Sequence, residues 1–407
     1  MITRVLRNAA WLGIGEAGVK GGLFVAAVLV ARGAGPSGVG TFSIAYSAAL
    51  ISILILAVGQ QEVLIREVAR SPERARLLVE GSESLQLRLG RWVVPAAAVG
   101  ALLVGEAGLR FTLLAFLPYA VLRTATVTRG AAFKGIDRMD VEARARGLEI
   151  MLAVAILAVG ALAAWPVWST GIAFSLGAAA ALVWIRRRQL ASGEDEGVAD
   201  PSELLREGLP FAALAVLSQS LANADRFLLA FLDVGRTEIG YWGVAGTVVW
   251  ALVALPQLGA VAMYPSISRY AKQGGSPRWV GLAASLGGAA AGLVAAGAVR
   301  WLGDPLIRLA FGAAFVPAVP LLHRLALALP GAFAMMAVGA VFAAWRLQRR
   351  ALWILCGVTL LSLGLNLLWI PRLGVLAPAT VAPLTYTLAA VVMTIALLLA
   401  GPGKEGP

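Results

Sequence analysis

Charged side chains are scarce in this chain of 407 residues: Asp, Glu, Lys and Arg together make up 14% of it, where a soluble domain carries roughly 25%. Hydrophobic residues reach 59%, more apolar surface than a globule of this length can hide, so most of it must face lipid. Histidine occurs once, at His323, and cysteine once, at Cys356. A lone cysteine permits no intramolecular disulfide and no cysteine-built metal site, and a lone histidine permits no histidine cluster. No metal and no cofactor is therefore expected. Acids are fewer than bases, 22 against 34, for a net charge of +12. A basic balance of that size can mark a nucleic-acid binder. Here the basic residues lie in the connections between apolar runs rather than on a soluble domain, so nucleic acid is excluded. Period-2 alternation is missing from the runs themselves, which excludes a transmembrane β-barrel.

What the chain has in quantity is apolar runs. One bilayer crossing takes about 20 mostly apolar residues. Twelve stretches qualify, over 9–31, 41–63, 89–105, 109–132, 148–165, 167–185, 208–232, 240–264, 280–302, 318–344, 351–370 and 376–400. They must be helices, because hydrocarbon cannot satisfy free backbone N–H and C=O groups. The first run follows Arg4 and Arg7 and contains Glu16 and Lys20, which suits a retained transmembrane helix better than the core of a signal peptide.

Basic residues alternate between sides. With the N-terminus inside, 24 of the 34 Lys and Arg residues fall on the inner side, seven on the outer, and three (Lys20, Arg123 and Arg226) within spans. That bias places both termini in the cytoplasm and favours an even number of spans. The longest outer segment, Asp304 to Pro320, is itself apolar and is expected to lie along the interface.

Ile185 to Gly208 is the one clearly hydrophilic linker, with Arg186-Arg187-Arg188, the acidic run Gly193-Glu194-Asp195-Glu196-Gly197, and Pro201. Six spans precede it and six follow. A shift of 200 residues aligns Gly35 with Gly235, Gly40 with Gly240, Ala45 with Ala245 and Gly59 with Gly259. The expected fold class is all-α: a polytopic membrane protein of about 12 transmembrane helices, in two six-helix bundles forming a parallel repeat around a central cavity. The domains would be residues 1–185, a cytoplasmic linker over 186–207, and residues 208–407.

Charge at bilayer depth is costly and is usually kept for function. Glu16 and Lys20 are four apart and share one helix face. They read either as a cavity pair, with Lys20 gripping an anion and Glu16 serving ion coupling, or as a self-neutralised pair. Asp225 and Arg226 lie deep in the seventh span. As neighbours in a helix they point in different directions, so one cavity is not expected to take both equally. Arg123 lies midway through the fourth span, while Arg129 is placed to snorkel. Gln219, Asn223 and Asn366 read as interhelical hydrogen-bonding residues. Lys20, Arg123 and Arg226 against Glu16 and Asp225 leave a cationic margin of one, which suits a phosphate-bearing substrate.

Ala31-Arg32-Gly33-Ala34-Gly35-Pro36, then Gly40-Thr41-Phe42 and Arg66-Glu67-Val68-Ala69-Arg70, together resemble the opening of bacterial polysaccharide-repeat-unit (O-antigen and exopolysaccharide, Wzx-like) flippases. These belong to the multidrug/oligosaccharidyl-lipid/polysaccharide exporter superfamily. Ala224-Asp225-Arg226-Phe227-Leu228-Leu229 with Ile239-Gly240-Tyr241-Trp242 is similar to that family's seventh span and following turn. Pro265-Ser266-Ile267-Ser268-Arg269 is similar to the close of its eighth span, and Asn366 with Ile370-Pro371-Arg372-Leu373-Gly374 to its approach to the last. The family usually continues with Gly-Ala-Ala, where this chain has Leu376-Ala377-Pro378-Ala379. The resemblance implies translocation of an undecaprenyl-pyrophosphate-linked oligosaccharide across the cytoplasmic membrane, coupled to an ion gradient, beside a polysaccharide polymerase and glycosyltransferases. In that reading Lys20, Arg123 and Arg226 contact the substrate, and Glu16 and Asp225 serve coupling. A proton- or sodium-coupled multidrug antiporter is the alternative. A membrane glycosyltransferase or polymerase is remote, because no outer loop is long and polar enough to hold an active site.

Overall fold

The computed structural model describes residues 2–190, 200–253, 255, 256, 259, 263, 267–271, 273–345 and 347–399. The acidic linker run Gly193 to Gly197 and the motif residues Pro265 and Ser266 lie outside the described residues, as does the side chain of Asn223. The chain divides into two compact units, Met1–Gln219 and Ser220–Pro407. Each is taken by itself below.

Helices occupy each of the twelve predicted stretches, and no strand occurs among the described residues. In the first unit these are α1 (Ile2–Ala57), α2 (Gln60–Arg70), α3 (Ala75–Leu102), α4 (Ala107–Gly135), α5 (Met139–Leu162) and α6 (Ser169–Arg186). Helix α7 (Pro201–Phe231) runs from the first unit into the second. The second unit continues with α8 (Arg236–Leu252), α9 (Pro277–Leu306), α10 (Val319–Ala326), α11 (Leu329–Ala344), α12 (Gln348–Leu373) and α13 (Leu376–Leu399). By length and hydropathy alone, seven of the described helices could cross a membrane, or eight when the bent pair α10–α11 counts as one span. That number refers to the described residues. Helix α1 holds the first span and most of the second, α3 starts in a charged segment, and only part of 254–272 is described.

The break inside α1 is sharper than the loop expected over Gly33–Gly40. It rests on Gly35 alone, at φ 67° and ψ −171° with Pro36 following, a conformation that only glycine adopts cheaply. The second span ends where Val58 and Gly59 both take positive φ, and the amphipathic α2 then carries the charges. Three of the four aligned pairs behave alike. Gly35 and Gly235 both stand at breaks, Gly40 and Gly240 are both buried, and Ala45 and Ala245 are both fully buried. Gly59 and Gly259 differ, because Gly259 is helical and has nothing near it.

Helix contacts are made through small residues, as expected where lipid removes the hydrophobic drive between helices. On α9, Gly288 and Gly292 are four apart and face the backbone of α11. A Cβ at Gly288 would stand 2.8 Å from the Ala334 Cα, and one at Gly292 would stand 2.5 Å from the Leu329 carbonyl oxygen. The N-terminus of α9 is capped by Ser276, which accepts from the Arg278 N–H at 3.3 Å, with Pro277 at the first helical position. Between α9 and α10 the chain passes through a π-helical turn (Ile307–Phe311), Gly312 at φ 100°, and a 3-10 stretch (Ala313–Ala318). This is the apolar segment that the sequence placed along the interface.

The start of α7 is bound into the first unit. Gln60 is fully buried, donates to the Leu204 carbonyl at 2.8 Å and accepts from Ser82 Oγ at 3.2 Å. Arg66 pairs with Glu67 at 2.6 Å and with Glu207.

Candidate functional site

Two groups of charged and polar side chains stand on packed helices, one in each unit. In the first unit they come from α1, α4 and α5. Helix α5 supplies Glu142, Arg146 and Glu149, spaced by four and three residues and so on one face. Arg146 Nη1 bridges Glu16 on α1 and Glu142, the latter at 3.6 Å, and Lys134 Nζ on α4 reaches Glu142 at 3.2 Å. One turn deeper, Arg123 Nη1 donates to Glu149 Oε2 at 2.8 Å, and the Tyr119 hydroxyl lies 3.3 Å from Glu149 Oε1. Tyr119 belongs to an aromatic cluster with Phe42, Tyr46, Phe116 and Phe174, whose ring centroids lie 5.4–6.2 Å apart.

Sequence reasoning placed Glu16, Lys20 and Arg123 here, and the structure sets all three on the same three-helix wall. Their pairing differs from the expectation. Glu16 makes its ion pair across to Arg146 on α5, and no Glu16–Lys20 ion pair occurs among the described residues. Lys20 remains within the field of the same Glu16 carboxylate, so Glu16 faces two cations, one on its own helix and one on α5. Arg123 is matched by Glu149. Glu142 and Arg146 were missed because the fifth span was expected to start at residue 148, whereas α5 starts at Met139; Glu149 lay inside that span and was passed over. The 142/146/149 spacing was the available signal. With them, Lys20, Arg123, Lys134 and Arg146 stand against Glu16, Glu142 and Glu149, and the cationic margin is still one.

Nearer the helix ends, Arg129 makes a two-bond contact with Glu83 on α3, at 2.8 and 3.0 Å, and Arg186 on α6 approaches the same carboxylate at 3.6 Å. Arg129 was expected to snorkel. Its forked pairing instead ties α4 to α3.

In the second unit the centre is Asp225 and Arg226 on α7. Asp225 Oδ1 accepts from the Arg226 N–H at 2.9 Å, and its carboxylate also takes a hydrogen bond from the buried Trp242 side chain on α8. Arg226 Nη2 lies 3.6 Å from where a Cβ of Gly246 would stand. Trp242, Gly246 and Trp250 are each four residues apart and line one face of α8. Both Asp225 and Arg226 therefore meet this helix, although neighbouring positions were expected to diverge. Tyr386 on α13 closes the group, its ring 5.2 Å from that of Trp250 and within the field of the Asp225 carboxylate. Trp242 was legible as part of a motif, while Trp250 and Tyr386 carried no signal in the sequence. Asn366, expected to bond between helices, instead donates from Nδ2 to the Ser362 carbonyl of its own helix at 2.9 Å.

Residues 5–271 match the family model described as "Polysaccharide biosynthesis protein". The chain belongs to this family. Comparison with curated proteins finds no match. Among solved structures, this polysaccharide biosynthesis protein is similar to an inward-facing multidrug resistance MATE family transporter of the MOP superfamily. The identity is 17% and the TM-score 0.74, over 92% of this chain and 93% of that one. It is similar to the lipid II flippase MurJ in an inward closed conformation, at 14% identity and TM-score 0.76, over 97% of this chain and 87% of that one. An outward-facing MATE family transporter matches at 15% identity and TM-score 0.69, over 97% and 94%. At such identities the likeness establishes the fold. This member of the polysaccharide biosynthesis family is a multi-pass helical membrane protein with the fold of the MOP superfamily.

Proposed function

We propose that this protein is a flippase that moves undecaprenyl-pyrophosphate-linked oligosaccharide repeat units from the inner to the outer leaflet of the bacterial cytoplasmic membrane. The observation that carries the reading is membership of a polysaccharide biosynthesis family by a chain with the fold of a lipid II flippase. A sugar pyrophosphate cannot cross about 30 Å of hydrocarbon unaided, and polymer assembly from lipid-linked units needs that crossing. Transport proceeds by alternating access, coupled to an ion gradient, with no covalent chemistry on the substrate, so the protein is not an enzyme. Both termini face the cytoplasm. Residues 1–185 and 208–407 form two six-helix bundles joined by a cytoplasmic linker over 186–207.

Lys20, Arg123 and Arg226 are the proposed anion contacts, and Glu16 and Asp225 the proposed coupling carboxylates. A guanidinium matches a phosphate with two parallel hydrogen bonds, and a charge held at membrane depth is far stronger than one in water. The expected partners are a polysaccharide polymerase and glycosyltransferases.

Reconstitution tests the proposal. Liposomes loaded with a fluorescent lipid-linked oligosaccharide should expose it to an external quencher when the wild-type protein is present, and far more slowly with Arg226→Ala. Equal rates with and without protein would refute the reading. The likeness to multidrug transporters favours one second reading, a proton- or sodium-coupled drug antiporter. Loss of the gene would then raise sensitivity to cationic dyes without building up lipid-linked sugar.

A further inference from the structure

An apolar cleft in the first unit lies apart from the charged cluster. It has a volume of about 220 Å³ and is walled by α1, α3 and α4, with Ala48 and Ser52, Ala97 and Gly100, and Leu113 and Phe116 among its lining. The hydroxyl of Ser52 is already engaged, donating to the Ala48 carbonyl at 3.0 Å. A buried water needs two to four polar partners, and these walls are apolar apart from the Ser52 hydroxyl, so hydrocarbon is the natural occupant. The wall is open at Gly100, which is exposed, and Val99, Leu102 and Phe111 on the same two helices are each 55–56% exposed, which in a bilayer means contact with lipid chains. A cavity of 150 Å³ accepts a benzene molecule, so this one accepts roughly one to two isoprene units.

Which chain enters is decided by what lies next to the cleft. Phe116, Tyr119 and Arg123 follow one another on a single face of α4, at spacings of three and four. Arg123 is seven residues beyond Phe116, about 10 Å along the helix axis at 1.5 Å per residue. A pyrophosphate held at Arg123 keeps the start of its own tail beside the cleft at high effective concentration, an advantage that a free phospholipid chain lacks. We infer that this cleft is the seat of the isoprenoid tail of the lipid-linked substrate, holding the segment nearest the pyrophosphate. The inference rests on the flippase reading and adds a tail-recognition site to it.

The test is photo-cross-linking of the whole protein in nanodiscs of phosphatidylethanolamine and phosphatidylglycerol. The probe is a polyprenyl pyrophosphate with a diazirine in its second isoprene unit. A Cβ at Gly100 would meet nothing within 4 Å, so Gly100→Leu adds bulk at the cleft wall where the Cβ has room, and gains helix propensity. A Cβ at Gly147, on α5, also meets nothing within 4 Å, and Gly147→Ala is the control. Label is expected on peptides of α1, α3 and α4, competed by undecaprenyl pyrophosphate, lost in Gly100→Leu and kept in Gly147→Ala. Label elsewhere, label that survives Gly100→Leu, or label competed equally by added phosphatidylglycerol would overturn the inference, the last marking a general lipid seat. The liposome assay separates the two ideas. Transport without cleft labelling sinks the tail site alone, whereas specific labelling without transport sinks the flippase.

Discussion

The Arg123–Glu149 pair sets a sharp energetic demand. Their side chains are 15% and 8% exposed and meet at 2.8 Å, so neither charge is rescued by water when the other is removed. Breaking a buried pair by deleting one partner costs about 3–5 kcal/mol, while replacing both with apolar groups of similar size is neutral or stabilising. For a unit of this size each kcal/mol moves the melting temperature by roughly 2–4 °C. Arg123→Met and Glu149→Leu should therefore each lower the melting temperature by about 6–20 °C, and the double variant should recover most of the loss. Tryptophan fluorescence of the protein in nanodiscs, heated at one fixed rate, reads all three. With full recovery the double-mutant cycle should return a coupling equal to the sum of the two single losses, about 6–10 kcal/mol. If the single variants melt within about 2 °C of wild type, or the double variant loses the sum of both, the pair is not the closed, desolvated contact described. The same double variant also tests function. A stable protein that no longer exports polymer assigns Arg123 to the substrate, whereas full export confines it to architecture.

Other outcomes follow from single contacts. Gly208→Val should destabilise the first unit by about 1–3 kcal/mol, the usual overpacking cost, because a Cβ there would stand 2.6 Å from Gln60 Nε2 and nearer still to the Val58 carbonyl oxygen. Thermal unfolding checks it, and Gln60→Ala should lose a similar amount by leaving the Leu204 carbonyl without its donor. Asp225→Asn should keep its hydrogen bonds and melt near wild type, yet slow transport in vesicles carrying an imposed ion gradient. Unchanged gradient dependence would remove Asp225 from coupling. Orientation is checked by thiol labelling after Cys356→Ala. A cysteine at Ser71 should react only from the cytoplasmic side, and one at Asp233 only from the outer side. The reverse pattern would invert the topology.

Much of the fold was legible because membrane physics leaves few options. A run of about 20 apolar residues has to be a helix, and all twelve stretches carry one. The break at Gly35-Pro36 falls in the gap left between the first two apolar runs, and glycine tolerates the positive φ it needs. The candidate site was legible only in part. Glu16, Lys20, Arg123, Asp225 and Arg226 stood out as charges inside apolar runs. Glu142 and Arg146 did not, because hydropathy places a span edge by average composition and a charged start to a helix reads as loop; Glu149 lay inside the expected span, and its role depends on the packing of α5 against α4. Trp250 and Tyr386 were hidden for another reason: an aromatic residue in an apolar helix looks the same whether it meets lipid or a carboxylate.

The sequence alone determined that the chain is helical, that it crosses the membrane repeatedly, and that Glu16, Lys20, Arg123, Asp225 and Arg226 are charges inside apolar runs. These follow from local composition and period. Only the tertiary structure decided who pairs with whom: Glu16 with Arg146, Arg123 with Glu149, and Asp225 with Trp242. Such partners are separated by 17 to 130 residues, and their meeting depends on how small side chains let the helices approach. The apolar cleft between α1, α3 and α4 has the same origin, being the space left where three helices meet through alanine and glycine.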